Sequence, residues 1–239
     1  MRRTSVAILS LACAYLLPPC LGRADEATPA NAQPSIIANG GFEDWAPLDP
    51  NTANREDVRN VDLVPPNTGP VAWTPLRELT KDQARTATIA MDEAIKHSGA
   101  RSVRIENRDM KDIALVVYST EAFAARPEDP HNIHPNRRYM VRWWVRGESV
   151  EPSGTGPIMM MFYMSQKDGK WYRTDTSEFG AQPLPTGAFD WQQRQFAFIT
   201  DENARWAAFT FQLRWTTGTI WYDDVELVDL GPVVHVETY

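Results

Sequence analysis

With 239 residues and a formal net charge of −7, the chain is long enough for one large domain. It is too acidic to carry the electrostatic footprint of a nucleic-acid binder, so nucleic acid is not an expected partner. Cys13 and Cys20 are its only cysteines and both fall in the N-terminal leader, which excludes a disulfide framework, a thiolate metal site and a cysteine nucleophile from the rest.

Residues 1–24 have the layout of a secretory signal peptide. Arg2 and Arg3 precede an apolar run from Val6 to Leu17, and Gly22 and Ala24 supply small residues before a cut after Ala24. A run of about a dozen apolar residues is too short for a hydrocarbon core of about 30 Å, so no transmembrane span is expected. Acylation at Cys13 or Cys20 is the alternative, but "SLAC" and "LPPC" fit it poorly. The expected location is secreted or periplasmic. Taking the three leader arginines from 24 basic residues leaves 21 against 31 acidic ones, a mature balance of −10.

Residues 25–35 ("DEATPANAQPS") have the composition of a disordered linker. The domain is expected over 36–230. Within it, 46–79 is polar, Pro-rich and non-periodic, which reads as a long loop. "AMDEAIKH" has the pattern of two helical turns, and nothing longer keeps a 3.6 period. Short apolar runs follow in order: "SVRIEN", "DIALVVYST", "YMVRWWVRG", "PIMMMFYMS", "RQFAFIT", "AAFTFQLRW" and "TIWYDDVEL". Turn chemistry such as "HSG", "PNRR", "KDGK" and "TTG" separates them. Two runs alternate strictly. Tyr139, Val141, Trp143 and Val145 oppose Met140, Arg142, Trp144 and Arg146; Phe209, Phe211, Leu213 and Trp215 oppose Ala208, Thr210, Gln212 and Arg214. The expectation is an all-β fold, a two-sheet antiparallel β-sandwich or jelly roll. Residues 231–239 are expected as a C-terminal tail.

Four separated pieces, taken together, resemble one family: "NGGFEDW", "HSGARSVRI", "RRYMVRWWVRG" and the closing "DWQQRQFAFIT…GTIWYDDVEL". In this order and spacing the chain is similar to carbohydrate-binding modules of the family 4/9/22 type, which are galactose-binding-like jelly rolls. The resemblance spans Ile36 to Leu230. It implies a β-sandwich that binds glycans in a groove on one sheet and commonly carries a structural calcium ion. Members usually accompany glycoside hydrolases, so partner enzymes are implied; this chain has no room for a catalytic domain of its own.

Asp223 and Asp224 sit inside an apparent strand, where an unpaired carboxylate is costly to bury. Carrying the family's calcium site over residue by residue gives Glu43 and Asp223 as carboxylate ligands, with Ser98 and Arg101 as main-chain donors. Strand parity puts Asp223 on the face of Trp221, Val225 and Leu227, pointing inward, and Asp224 outward. Without a cation the alternative is that Asp223 accepts backbone amides at a turn while Glu43 pairs with an arginine.

The expected ligand is a polysaccharide. Aromatic faces stack on sugar rings, and the informative aromatics are those on polar faces. If the two alternating strands share a sheet, Trp144 forms a platform among Arg142, Arg146, Gln212 and Arg214. Arginine forks also suit carboxylate or sulfate. The bland alternative is a solvated face with Trp144 covered by a loop. Tyr163, with Trp171 and Tyr172 on the hairpin tip "QKDGKWYR", and Trp73 in "VAWTP" are further candidates.

Enzyme signals are weak. With 31 acidic residues some carboxylate pair is always available. His131 and His134 lie in a Pro- and Asn-rich loop without a third zinc ligand. No G-x-S-x-G elbow occurs, and "SGTG" lacks the helix a phosphate loop needs. The leading expectation is a non-catalytic glycan binder; a glycoside-active enzyme on the same scaffold, or an envelope adapter that binds protein, are the rivals.

Overall fold

A computed structural model describes residues 34–78, 87–126, 128–151, 156–175 and 186–233. The expected signal peptide, most of the linker and most of the tail, and the "SGTG" segment, lie outside the described residues. Residues 33–239 form one unit.

Two sheets carry the fold. One has five strands in the order β10 (Lys170–Asp175), β9 (Gly156–Lys167), β12 (Ala204–Arg214), β7 (Ile113–Ser119) and β4 (Trp73–Glu78). The other has six: β11 (Gly187–Ile199), β8 (Arg137–Val150), β13 (Gly218–Pro232), β6 (Ser102–Asn107), β5 (Ala87–Asp92) and β2 (Asp62–Val64). Pairing is antiparallel except between β2 and β5. A two-stranded ribbon of β1 (Trp45–Pro47) and β3 (Thr68–Pro70) stands beside them.

The sheets face each other across one apolar core, which makes the molecule the expected sandwich. The long strands contribute alternate residues, as the period-2 geometry of a strand requires. Tyr139, Val141, Trp143 and Val145 of β8 meet Phe209, Phe211 and Leu213 of β12 there. The Trp143 and Phe211 rings touch edge to face with centroids 5.7 Å apart.

Several local expectations are corrected. The segment 46–79 is no plain loop: it holds β1 to β4 and two short helices, α1 (Pro50–Ala53) and α2 (Glu56–Arg59). Arg77, inward-facing on β4 and 1 % exposed, makes a buried ion pair with Asp112 and donates from Nη1 to the Asn60 carbonyl, tying this segment down. "AMDEAIKH" is not helical; it is the end of β5 and a turn. The linker ends before Ser35, whose Oγ accepts from Ile37 N and Leu227 N. At the other end β13 runs to Pro232, into the expected tail.

The N-terminal segment lies along β13. Ile36 N donates to the Leu227 carbonyl at 2.8 Å, and Val225 N donates to the Gly40 carbonyl at 2.9 Å. The approach at Gly40 is so close that an added Cβ would lie 1.8 Å from the Val225 oxygen, so only glycine fits. The two ends of the domain are neighbours, as expected.

Candidate functional site

β8 and β12 belong to different sheets, so the proposed platform divides in two. The outward residues of β8 (Arg142, Trp144 and Arg146) lie on the outer face of the six-stranded sheet. Those of β12 (Thr210, Gln212 and Arg214) lie on the outer face of the five-stranded sheet, on the far side of the core. Two further candidates point inward. Tyr163 is buried on the core side of β9. Trp73 is buried against Phe42, Tyr118 and Phe211, with its indole N–H on the Asn39 carbonyl.

The outer face of the six-stranded sheet is covered near its middle by residues 92–101. Asp92 begins this cap: its Oδ1 accepts from Ala94 N and Ile95 N, and its Oδ2 accepts from the Trp221 indole at 2.8 Å. His97 stacks on Trp144 with ring centroids 3.8 Å apart and an interplanar angle of 14°. Its Nδ1 lies 2.6 Å from Asp224 Oδ2. Trp144 is therefore a support for the cap rather than an open platform. Beside it the arginines are paired, Arg142 to Glu226 at 2.6 Å and Arg146 to Asp190 at 3.4 Å.

Asp223 lies under this cap, and the parity expectation for it fails. It pairs with Trp144 in the ladder and so occupies the outer side, while Ile220 and Tyr222 face the core. Asp224, at φ 47°, begins a bulge that reverses the alternation and returns Val225 and Leu227 inward. Asp223 is fully buried nonetheless. Its Oδ2 accepts from His97 N at 2.8 Å and Ser98 N at 3.2 Å, and its Oδ1 accepts from Asp224 N at 2.8 Å. Burial pushes its carboxyl up to about 7, the charge of Asp224 adds to the push, and the three amides oppose it.

Glu43 holds the other end of the same turn. Its carboxylate accepts from Ala100 N at 3.0 Å and Arg101 N at 3.5 Å, while Arg101 Nη1 donates to the Glu43 carbonyl at 2.6 Å. Gly99, at φ 57°, is required here, because an added Cβ would meet Glu43 Oε1 at 1.9 Å. Ser98 Oγ donates to Asp224 Oδ1 at 2.8 Å. Glu43, Ser98, Arg101 and Asp223 are thus brought to one turn, with Asp224 and His97 as members the sequence reading left out. Asp223 takes amide N–H groups at this turn and Arg101 bonds to Glu43, as the cation-free alternative expects; a calcium ion, which prefers hard oxygen ligands, would have to share these carboxylate oxygens with the amides. Among the described residues no three His, Cys, Asp or Glu side chains converge as a metal-holding group; a shell would draw on main-chain carbonyls.

The outer face of the five-stranded sheet is open. A groove of about 480 Å³ runs over it, floored by Thr74 and Leu76 of β4, Leu115 and Val117 of β7, and Met160 and Phe162 of β9, with Thr210, Gln212 and Arg214 of β12. Trp206 meets Phe162 edge to face at 5.7 Å, and the Arg173 guanidinium lies 3.9 Å over the Phe162 ring. Gln212 Nε2 donates to Thr210 Oγ1 at 2.6 Å, and Arg214 Nη1 lies 3.5 Å from Gln212 Oε1. Thr74, Val117, Ser119 and Glu121 pass into an adjoining cleft of about 650 Å³, which Trp73 also lines. Phe162, Arg173 and Trp206 are not among the sequence candidates; the alternation of β9 and β12 carries the signal for Phe162 and Trp206, which it places opposite the core residues Tyr163 and Ala207, while Arg173 comes from β10, level with Met164. At the hairpin tip, which the turn at Asp168 and Gly169 forms as expected, Trp171 and Tyr172 are each 50 % exposed.

No protein-family model matches the chain, and no curated protein matches it in sequence. Among solved structures it is similar to the enzymatically active domain of bacteriophage CBA120 tailspike protein 4. The TM-score is 0.51 at 12 % identity, over 82 % of this chain and 21 % of that one. This chain therefore spans about a fifth of that protein's length, and the likeness is one of fold. A CBM4 structure has a TM-score of 0.44 at 16 % identity, over 81 % of this chain and 99 % of that one. The CBM22-1 xylan-binding domain of Paenibacillus barcinonensis Xyn10C has a TM-score of 0.42 at 10 % identity, over 68 % and 88 %.

Proposed function

We propose that this protein is an exported, non-catalytic carbohydrate-binding module, and that its polysaccharide lies in the groove on the outer face of the five-stranded sheet. The observation that carries this reading is the make-up of that groove. Aromatic and aliphatic side chains (Trp206, Phe162, Leu115, Val117) form its floor, and a hydrogen-bonded row of Thr210, Gln212 and Arg214 runs beside them. Apolar patches suit the C–H faces of sugar rings, and a few fixed polar groups suit their hydroxyls. Of the residues expected from sequence, Gln212 and Arg214 lie in this groove.

The capped turn has a separate role in this proposal. A calcium ion there, held by Glu43 and Asp223 with carbonyls of Ser98 and Arg101, clamps the N-terminal segment to β13 and touches no sugar. A ligand that binds only the folded state raises stability with its concentration. Calcium should therefore raise the melting temperature of the wild type and leave Glu43→Gln unmoved; an equal response in both removes the ion from this turn.

Affinity electrophoresis against a panel of neutral and acidic polysaccharides tests the main reading. Retardation that is lost in Trp206→Ala supports it. Absence of retardation on every polymer sinks it, and release of reducing sugar from any of them replaces it with the enzyme reading. Partner enzymes acting on the retained polymer are the natural company for such a module.

A further inference from the structure

Arg214 points to a feature of the ligand that the groove's shape alone does not give. Its guanidinium lies 4.1 Å over the Trp215 ring, and its Nη1 reaches toward Gln212 Oε1 at 3.5 Å. Trp215 itself is held at φ 50°, an unusual conformation for a bulky residue, and is 42 % exposed. Among the described residues no carboxylate lies within ion-pair distance of Arg214. On the opposite face Arg142 and Arg146 each have a carboxylate partner, while Arg104 there is in no ion pair among the described residues; Arg55 at the groove wall is held by Asp57 at 2.6 Å.

Among the described side chains that line the groove the one carboxylate is Glu121, and it is far from Arg214. β7 and β12 run antiparallel with Ala208 opposite Ser119 and Arg214 opposite Ile113. Six residues of strand separate the two ends, about 20 Å at the usual rise. At physiological salt, charges are screened over about 8 Å, so Glu121 does little to offset Arg214; Glu78 stands nearer, opposite Ile113 as Arg214 is, two strands or about 10 Å away. A cation held over an aromatic ring, with a donor reaching toward a groove, suits a planar or multivalent oxyanion.

Resting on the glycan-binding reading above, we infer that the groove selects an acidic polysaccharide, with the carboxylate or sulfate of one sugar residue seated on Arg214. Gln212, oriented by its bond to Thr210, sets the tilt of the guanidinium.

The test uses the full chain and four probes: polygalacturonate, its methyl ester, a sulfated galactan and a neutral galactan. The wild type should bind polygalacturonate or the sulfated polymer at least about tenfold more tightly than the matching uncharged one, the size expected for a charge-assisted contact. That preference should shrink as salt rises. In Arg214→Gln the ratio should fall to near one, and Arg214→Lys should restore part of it; melting curves confirm that both variants fold. Preference for the uronate over the sulfated polymer, or the reverse, identifies the anion. Equal binding of charged and uncharged polymers overturns this inference and leaves the glycan reading intact, whereas no binding of any probe overturns both.

Discussion

The two outer faces of the sandwich are built from the same kind of strand and end in opposite states. On β8 and on β12 alike, apolar residues alternate with arginine, aromatic and amide side chains. Over β8 the turn 92–101 folds back, His97 stacks on Trp144, and the arginines find Glu226 and Asp190. Over β12 nothing of the kind lies on the sheet among the described residues, and a groove remains. Alternation decides which side chains leave the core. What covers them afterwards is decided by a segment more than a hundred residues away in sequence from β13, pinned by Glu43, Asp223 and Asp224.

Removing the pin under the cap should have the largest effect. Asp223→Ala leaves three amides without their acceptor and is expected to cost roughly 2–4 kcal/mol of unfolding free energy. Asp223→Asn keeps one acceptor oxygen and should cost less; urea melts of both variants give the order, and polysaccharide retardation should persist in whichever remains folded. On the open face the pattern inverts. Trp206→Ala should weaken polysaccharide binding by ten- to a hundredfold, about 1.4–3 kcal/mol, with a smaller change in stability. A Trp206→Ala variant that binds as wild type would mean that the groove is only a surface.

Trp144→Ala separates the faces more finely. Loss of the His97 stack should lower stability by about 1–2 kcal/mol, while titration with the polysaccharide should show unchanged affinity. The smallest effect is expected from Arg142→Gln. Its pair with Glu226 is 35 % and 46 % exposed, and such pairs contribute less than about 1 kcal/mol. Its melting temperature should be nearly that of the wild type, in contrast to the binding change expected of Arg214→Gln.

The sandwich is legible in the sequence because its cause is local: the long strands such as β8 and β12 advertise their inner rows by a period of two, whereas the short β1 to β4 do not. Sheet membership is not, because pairing partners are distant and both sheets offer the same pattern. The polar rows of Trp144 and Gln212 look alike in sequence, and the topology puts them on opposite faces. Asp223 illustrates a second limit. Its residue type marked it as held by something, and that was right, but its facing depended on a positive φ at Asp224 that no neighbour in the sequence announces. Trp73 and Tyr163 were offered to sugar and went to the core, since an aromatic ring gains more from burial than from exposure unless parity forces it out. The meeting of Glu43, Ser98, Arg101 and Asp223 at one turn came from the family resemblance, and residue spacing alone would not have supplied it.

The concealed pair of Arg77 and Asp112 has a consequence for recognition. By fastening the Asn60 carbonyl, it holds the segment that carries Arg55 against the sheet, so one bank of the channel is already set before any sugar arrives. A preorganised bank loses little conformational freedom on docking. Discrimination between chains then falls to the shape and charge of the bed itself, and slackening this remote anchor should blur the choice of ligand before it unfolds the protein.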